Sequence, residues 1–308
     1  MPPIRALASR SLILTALAVL GTAAPAAASV AGPAPPESAL DVLAGTPATA
    51  DLDVMTFNLR FAGSVPPNSW AQRRPVMRTL LTSERPDLLG TQEGLAGQLR
   101  DIESDLGPGY DYIGLGREGG HLGEHMAIFF DKARLLPQKS GNYWLSATPQ
   151  VPGSIGWDAA HIRMVTWVLF ADLETGRHFY AVNTHLDNVS ENARRQAAAL
   201  IGDRLARLDP LPIVLTGDFN SPAEPRSQVY RLLVDRAGLR DTWTETLRRG
   251  PAWATIHNYQ PLIRDGERDD WILASAGVTA LATLANTYRD GHQYPSDHLP
   301  VQARLRLP

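Results

Sequence analysis

Cysteine is absent from the 308 residues. That excludes a disulfide framework, a lipid-anchored lipoprotein and thiolate-held zinc. Lysine is almost absent too: Lys132 and Lys139 are the only two. The formal net charge is only -3, so whole-chain electrostatics give no pull towards nucleic acid. There is no phosphate-cradling P-loop, no G-x-S-x-G nucleophile turn, and no helical pattern with two histidines four residues apart as in zinc hydrolases. Long apolar runs are missing from everything but the N-terminus. There, Arg5 and Arg10 precede "LILTALAVLGTAAPAAA", and Ala26 to Ala28 offer a small-residue cleavage site. Gly21 and Pro25 interrupt the run, which is short for a membrane span. Residues 1–28 are therefore expected to be a secretory signal peptide, leaving a secreted, extracellular product with no stable membrane anchor. No adjacent arginine pair precedes the run, which favours the general export route over the twin-arginine one.

Residues 29–50 are rich in Ala and Pro without an apolar period, and are expected to form a linker outside the fold. Residues 51–308 suit one large domain, with 44% hydrophobic residues along the whole chain. Short Val/Ile/Phe-rich segments predict strands at "LDVMTFNL", "DLLGTQE", "YDYIGLG", "MAIFF", "MVTWVLFAD", "FYAVNTHL", "PIVLTGDFN", "DDWILA" and "PVQARLRL". Helices are predicted at "WAQRRPVMRTLLTSERP", "EGLAGQLRDIESDL", "SENARRQAAALIGDRLARL" and "SQVYRLLVDRAG". In the third, Ala197, Leu200, Ile201, Leu205 and Leu208 recur at helical spacing. Strands alternating with helices imply an α/β protein. Antiparallel neighbours joined by "LETGR" imply mixed sheets, and this many strands suits two packed sheets flanked by helices.

Polar residues of catalytic type collect at strand ends. Asn58 follows "VMTF", and Gln92 and Glu93 follow "LLGT". Glu124 precedes "HMAIFF"; Asn183, His185 and Asp187 close one strand, and Asp218 and Asn220 another. Asp270 opens "WILA", and Asp297 and His298 precede "LPV". A lone Asn or Asp at a strand end is ordinarily a turn residue, and a lone His is ordinarily a neutral hydrogen-bonding side chain. Carboxylates, amides and histidines converging from so many strand ends are hard to obtain from turn chemistry alone. Oxygen ligands without cysteine point to Mg²⁺, Mn²⁺ or Ca²⁺.

The ordered set "TFNLR", "TQE", "GEHMAIFF", "NTHLD", "TGDFN", "DDWIL" and "SDH" resembles the endonuclease/exonuclease/phosphatase superfamily, which includes deoxyribonuclease I. The resemblance implies a four-layer α/β sandwich and Mg²⁺- or Mn²⁺-dependent cleavage of a phosphate ester. Carried over by position, it implies Glu93, Asn58 and Asp297 at the metal. Asp218 would activate the attacking water, Asn220 would contact the phosphate, and His185 and His298 would face it. Glu124 would pair with His185, and Asp270 with His298. An acid behind a histidine fixes its tautomer and favours the imidazolium. Arg163 suits a bidentate phosphate clamp, or else a surface salt bridge.

Two features depart from the pattern or extend it. Asp269-Asp270-Trp271 replaces an Ile-Asp arrangement, and strand alternation favours Asp270 as the partner of His298. "PGSIGWDAAHIR" resembles a segment of a bacterial branch of the superfamily and is expected to line the substrate cleft. Trp157 and Asp158 within it, and His257 in "ATIHN", are candidate substrate contacts. The expected enzyme is a monomeric phosphoesterase, foremost a phosphodiesterase or nuclease, whose partner is a nucleic acid, nucleotide, phospholipid or sugar phosphate. A phosphomonoesterase and a sphingomyelinase-like lipase are the alternatives. A catalytically silent binding module is opposed by the presence of Glu93, Asp218 and His298 together.

Overall fold

A computed structural model describes residues 36–246 and 248–308. The expected signal peptide, residues 1–28, lies outside the described residues, as do residues 29–35. Among the described residues no helix is long and apolar enough to cross a membrane.

The alternation of side chains along each strand builds the architecture. In Asp51–Asn58, Val54 joins one buried cluster and Met55 another on the opposite face. Both faces are apolar, so both must be covered. One face packs sheet against sheet: Leu52, Val54, Leu88, Ile128 and Phe130 meet Val168, Phe170, Phe179, Ala181, Val214 and Ile272. The outer face of the first sheet takes Met77, Leu80, Leu81, Leu99 and Ile102 from the helices Trp70–Glu84 and Ala96–Leu106. The outer face of the second takes Ala197, Ile201 and Leu205 from the helix Glu191–Leu205. The result is the expected α/β sandwich of two six-stranded mixed sheets with flanking helices.

The first sheet runs Thr279–Ala285, Val301–Arg306, Asp51–Asn58, Leu88–Gln92, Ile128–Asp131, Tyr110–Ile113. The second runs Leu239–Asp241, Asp270–Ser275, Ile213–Asp218, His178–His185, Met164–Asp172, Leu135–Trp144. One central pair in each sheet is parallel, and these pairs align the strand ends that matter: Asn58 opposite Gln92, and Asp218 opposite His185. The antiparallel neighbour brings Asp270 opposite Asp218.

Near those ends the core between the sheets turns polar. Gln92 Nε2 donates to Asn183 Oδ1 at 2.7 Å, and Asn183 Nδ2 donates to the carbonyls of Thr91 and Ala127 at 2.7 and 3.0 Å. Gly90 allows the approach, since a Cβ there would lie 2.1 Å from Thr216 Oγ1. Gln92 and Asn183 are thus fully buried ties between the sheets.

The expected linker is not wholly outside the fold. Residues Ala39–Ala44 form a short helix whose Leu40 is buried against Ala282 and Leu284. Ser38 Oγ donates to Glu84 at 2.9 Å, and Arg304 binds both Asp41 and Asp53. The composition of 29–50 concealed this docking because one leucine and one acid suffice for it. Strands Leu135–Trp144 and Thr279–Ala285 also escaped the sequence reading. The first is an edge strand bulged between Pro137 and Lys139, and the second is mostly Ala and Thr.

At the opposite end of the first sheet, Asp87 accepts the Asp53 N–H at 2.8 Å, and burial pushes its carboxyl up to about 7. With a folded pKa above the unfolded one, its contribution to stability is full below the unfolded pKa and is lost as pH rises through about 7. Asp87→Asn is therefore expected to match the parent in urea unfolding near pH 4 and to exceed it at pH 8. Equal stability gaps at both pH values would refute the assignment.

Candidate active site

Asp218 sits at the centre, 1% exposed at the end of its strand. Its Oδ2 accepts from Asn58 Nδ2 at 2.9 Å, and its Oδ1 from the Asn220 backbone N–H at 2.9 Å. Asn220 does not continue the strand. Its φ is 46°, which folds the side chain back so that Nδ2 donates to the Leu186 carbonyl at 3.0 Å and lies 3.0 Å from His185 Nε2. Gly217 permits this end to close, since a Cβ would lie 2.8 Å from the Thr184 carbonyl. Phe219 anchors it, stacked on Trp271 with ring centroids 4.2 Å apart.

His298 Nδ1 lies 3.0 Å from Asp270 and 3.9 Å from Asp218. Burial alone would lower its pKa, but Asp270, Asp218 and Asp297 outweigh burial and raise it well above the usual range. His298 is accordingly an imidazolium whose Nδ1–H points at Asp270. Burial, and then the Asp270 charge, raise Asp218. Asp270 is thus the acid behind His298, while Asp269 uses its carbonyl to accept the Phe219 N–H at 2.8 Å.

The other histidine differs from expectation. Glu124 does not reach His185; it forms a 2.6 Å ion pair with Arg117. Arg163 stands behind His185 instead, its Nη1 donating to Nδ1 at 2.8 Å. A guanidinium has only donors, so His185 accepts at Nδ1, while its Nε2 lies 3.0 Å from the Asn220 amide and 3.3 Å from Asp218 Oδ2. Burial and Arg163 hold the His185 pKa well below its usual value. An arginine where an acid was expected converts an imidazolium into a neutral imidazole. Arg163 is itself buried, neither a surface salt bridge nor an exposed clamp.

Glu93 lies at the far side of Asn58, whose Nδ2 also donates to Glu93 Oε1 at 3.1 Å. Glu93 Oε2 accepts the Phe61 N–H at 3.1 Å, and Asp297 pairs with Arg60 at 3.3 Å. Asn58 Oδ1 is engaged by the Arg60 N–H at 2.9 Å, so Asn58 orients carboxylates rather than presenting a free oxygen. Arg60 and Glu93 both have positive φ, 53° and 63°, a conformation that costs energy in non-glycine residues and concentrates at functional sites. Glu93, Asp297 and Asp218 supply the hard oxygen chemistry of a divalent cation. Asp218, Asp270 and His298 also have ligand atoms within 4.8 Å of one another and could hold a metal ion. There the Nδ1–H of His298 already occupies the space between the carboxylates, so a cation would have to displace a proton.

The remaining candidates stand apart from Asp218. Trp157 packs half-buried against the core cluster that includes the helix Glu191–Leu205, its carbonyl accepting from Ser190 and Asn192, and Asp158 is exposed. Asp187 accepts four backbone N–H groups, those of Val189 and Ser190 in its own loop and those of Ala160 and His161. His257 is buried behind Asp297, whose carbonyl accepts the His257 N–H at 2.9 Å. Arg73 was missed, because an arginine in a helix of mixed polarity reads as a solvated face. It is fully buried and donates to the carbonyls of Leu59, Arg60, Phe61, Asn68 and Pro295.

A buried acid flanked by an imidazolium, a neutral histidine and two amides, set at the aligned ends of a two-sheet sandwich, defines a hydrolase site. Residues 55–298 match the Endonuclease/Exonuclease/phosphatase family, and the chain belongs to that family. No curated protein matches the chain. Among solved structures, an endonuclease/exonuclease/phosphatase family protein from Bacteroides thetaiotaomicron is 35% identical with a TM-score of 0.79, over 84% of this chain and 98% of that one. A mannosyl-6-phosphatase of the same organism is 36% identical with a TM-score of 0.77, over 82% of this chain and 99% of the other. The human Nocturnin catalytic domain, at 20% identity, TM-score 0.66 and coverage of 84% and 95%, shares the fold.

Proposed function

We propose that this enzyme is a divalent-metal-dependent phosphomonoesterase that releases phosphate from a small hydroxylated alcohol such as a sugar phosphate. The observation that carries hydrolysis is the placement of Asp218 between the amides of Asn58 and Asn220, with the His298 imidazolium beside it. The water oxygen forms a bond to phosphorus as the bond to the alcohol oxygen breaks. Asp218 accepts the water proton, and the His298 Nε2–H is the proton source for the departing alkoxide. The neutral His185 and Asn220 offer N–H groups to the phosphoryl oxygens. A cation held by Glu93 and Asp297 would add neutralisation of phosphate charge.

Two observations support a monoester over the nuclease expected from sequence. The mannosyl-6-phosphatase is 36% identical across nearly its whole length. The arginines around the site are also already committed: Arg60 to Asp297, Arg117 to Glu124, and Arg163 to His185 and Asn188. That leaves no basic stripe among them to follow a nucleic-acid backbone.

The test is hydrolysis of mannose 6-phosphate, p-nitrophenyl phosphate, bis-(p-nitrophenyl) phosphate and duplex DNA. We expect the monoesters to be cleaved faster than the diesters. EDTA should abolish turnover, with recovery on adding Mg²⁺ or Mn²⁺. Full activity in EDTA, or a preference for DNA, would overturn the proposal.

A further inference from the structure

The proton donor of this site is assembled across the sandwich. Asp270 opens a strand of the second sheet, and His298 precedes Val301–Arg306 of the first. Strand register fixes Asp270 against Asp218 within its own sheet. The 3.0 Å contact between Asp270 and His298 Nδ1 depends in addition on how the two sheets are held at this end. The segment "ATIHN", expected to supply a substrate contact at His257, lies against both partners instead. The Thr255 hydroxyl oxygen accepts the backbone N–H groups of Asp269 and Asp270 at 2.9 and 3.1 Å. A threonine hydroxyl commonly bonds its own stretch of backbone, whereas these two bonds span 14 and 15 residues. On the other side, the Thr255 carbonyl accepts the Leu299 N–H at 2.8 Å, and Ile256 forms an antiparallel bridge with His298. The Asp297 carbonyl accepts the N–H groups of His257 and Asn258 at 2.9 and 3.1 Å. Thr255 is fully buried, and its own N–H is given to the Glu267 carbonyl at 3.0 Å.

We infer that Thr255 is a positioning residue: its hydroxyl and its carbonyl hold Asp270 and His298 together, so that the imidazolium presents its Nε2–H to the departing alkoxide. The inference rests on the phosphomonoesterase reading and adds to it the group that keeps the proton donor in place. Thr255 touches neither substrate nor reacting atoms and acts only through the Asp270–His298 pair. A displacement of about 1 Å in such a pair costs about 10²-fold in rate, so two hydrogen bonds on the backbone of the acid suffice to matter.

The experiment measures kcat for mannose 6-phosphate and for p-nitrophenyl phosphate in the parent, Thr255→Val, Thr255→Ser and Asp270→Asn. The p-nitrophenolate ion is a weak base and leaves unprotonated, whereas a sugar alkoxide needs the proton. Thr255→Val should lower kcat about 10–100-fold for mannose 6-phosphate and less than about threefold for p-nitrophenyl phosphate. Both rates come from one preparation, so partial unfolding cancels from their ratio. Thr255→Ser keeps the acceptor and should keep the parental ratio. Adding Thr255→Val to Asp270→Asn should cost nothing further, because both act through one imidazolium. If Thr255→Val does not fold, Thr255→Ala, which leaves room for water at the two N–H groups, is read by the same ratio. An unchanged ratio overturns the inference, as does a Thr255→Ser as impaired as Thr255→Val, or a double variant whose loss is the product of the two single losses. A parent inert to both esters overturns the functional reading itself, a result distinguishable from the others because it appears before any substitution.

Discussion

Asp218→Asn is expected to reduce kcat roughly 10³-fold or more while leaving the protein folded. The substitution keeps the shape and one oxygen for the Asn220 N–H, puts an amide NH₂ in place of the oxygen that accepts from Asn58, and removes the basic site. Burial and the neighbouring Asp270 charge raise the Asp218 pKa, so ionised Asp218 costs folding energy at neutral pH. That penalty grows as pH rises towards the folded pKa, and the amide abolishes it, which offsets the loss of the hydrogen bond from Asn58. Thermal unfolding in EDTA at pH 8 should show a cooperative transition with a Tm near that of the parent, and steady-state assay with p-nitrophenyl phosphate gives the activity. A variant retaining more than about a tenth of parental kcat would remove Asp218 from the role of base. A variant that lost activity by unfolding would show a lowered Tm instead.

Much of this site could be read from the chain because its residues terminate strands whose apolar patterns are unambiguous. "IVLTGDFN" places Asp218 at a strand end whatever the tertiary context, and the registers with His185 and Asp270 follow once the strands are neighbours. The pairing of Asp270 with His298 was implied by the family resemblance, and strand alternation chose Asp270 over Asp269 for it. Partner choice between elements distant in sequence was otherwise not legible. Only the packing decides that Arg163, just ahead of its strand, contacts His185 while Arg117 takes Glu124. Gln92 and Asn183 resemble site residues in sequence because a buried amide and a catalytic amide occupy the same strand-end positions. What separates them is that their hydrogen bonds run between the sheets. The docked helix Ala39–Ala44 was hidden for a different reason, since a six-residue segment carries too little pattern to announce an amphipathic face.

Arg73 is where stability and activity meet, and Arg73→Lys is expected to cost both. The guanidinium is fully buried and donates to five main-chain carbonyls, those of Leu59, Arg60, Phe61, Asn68 and Pro295. It ties the loop after Asn58 to the segment leading into Asp297 and His298, alongside the Arg60–Asp297 ion pair and the Ser296 hydroxyl on the Asn58 carbonyl. Five carbonyl dipoles compensate the charge, and burial still lowers its pKa. A lysine keeps the charge but has three donors, so at least two carbonyls lose their partner in a site closed to water. At about 1–2 kcal/mol for each such bond, the loss is about 2–4 kcal/mol, measurable as a lower urea midpoint at unchanged slope. Loosening Arg60 and Phe61 also loosens the N–H that Phe61 gives to Glu93 and the ion pair that Arg60 gives to Asp297. Activity should therefore need more Mg²⁺ for half-saturation, an effect that destabilisation elsewhere in the fold would not produce. A variant with parental stability and parental Mg²⁺ dependence would show that the two segments hold their places without Arg73.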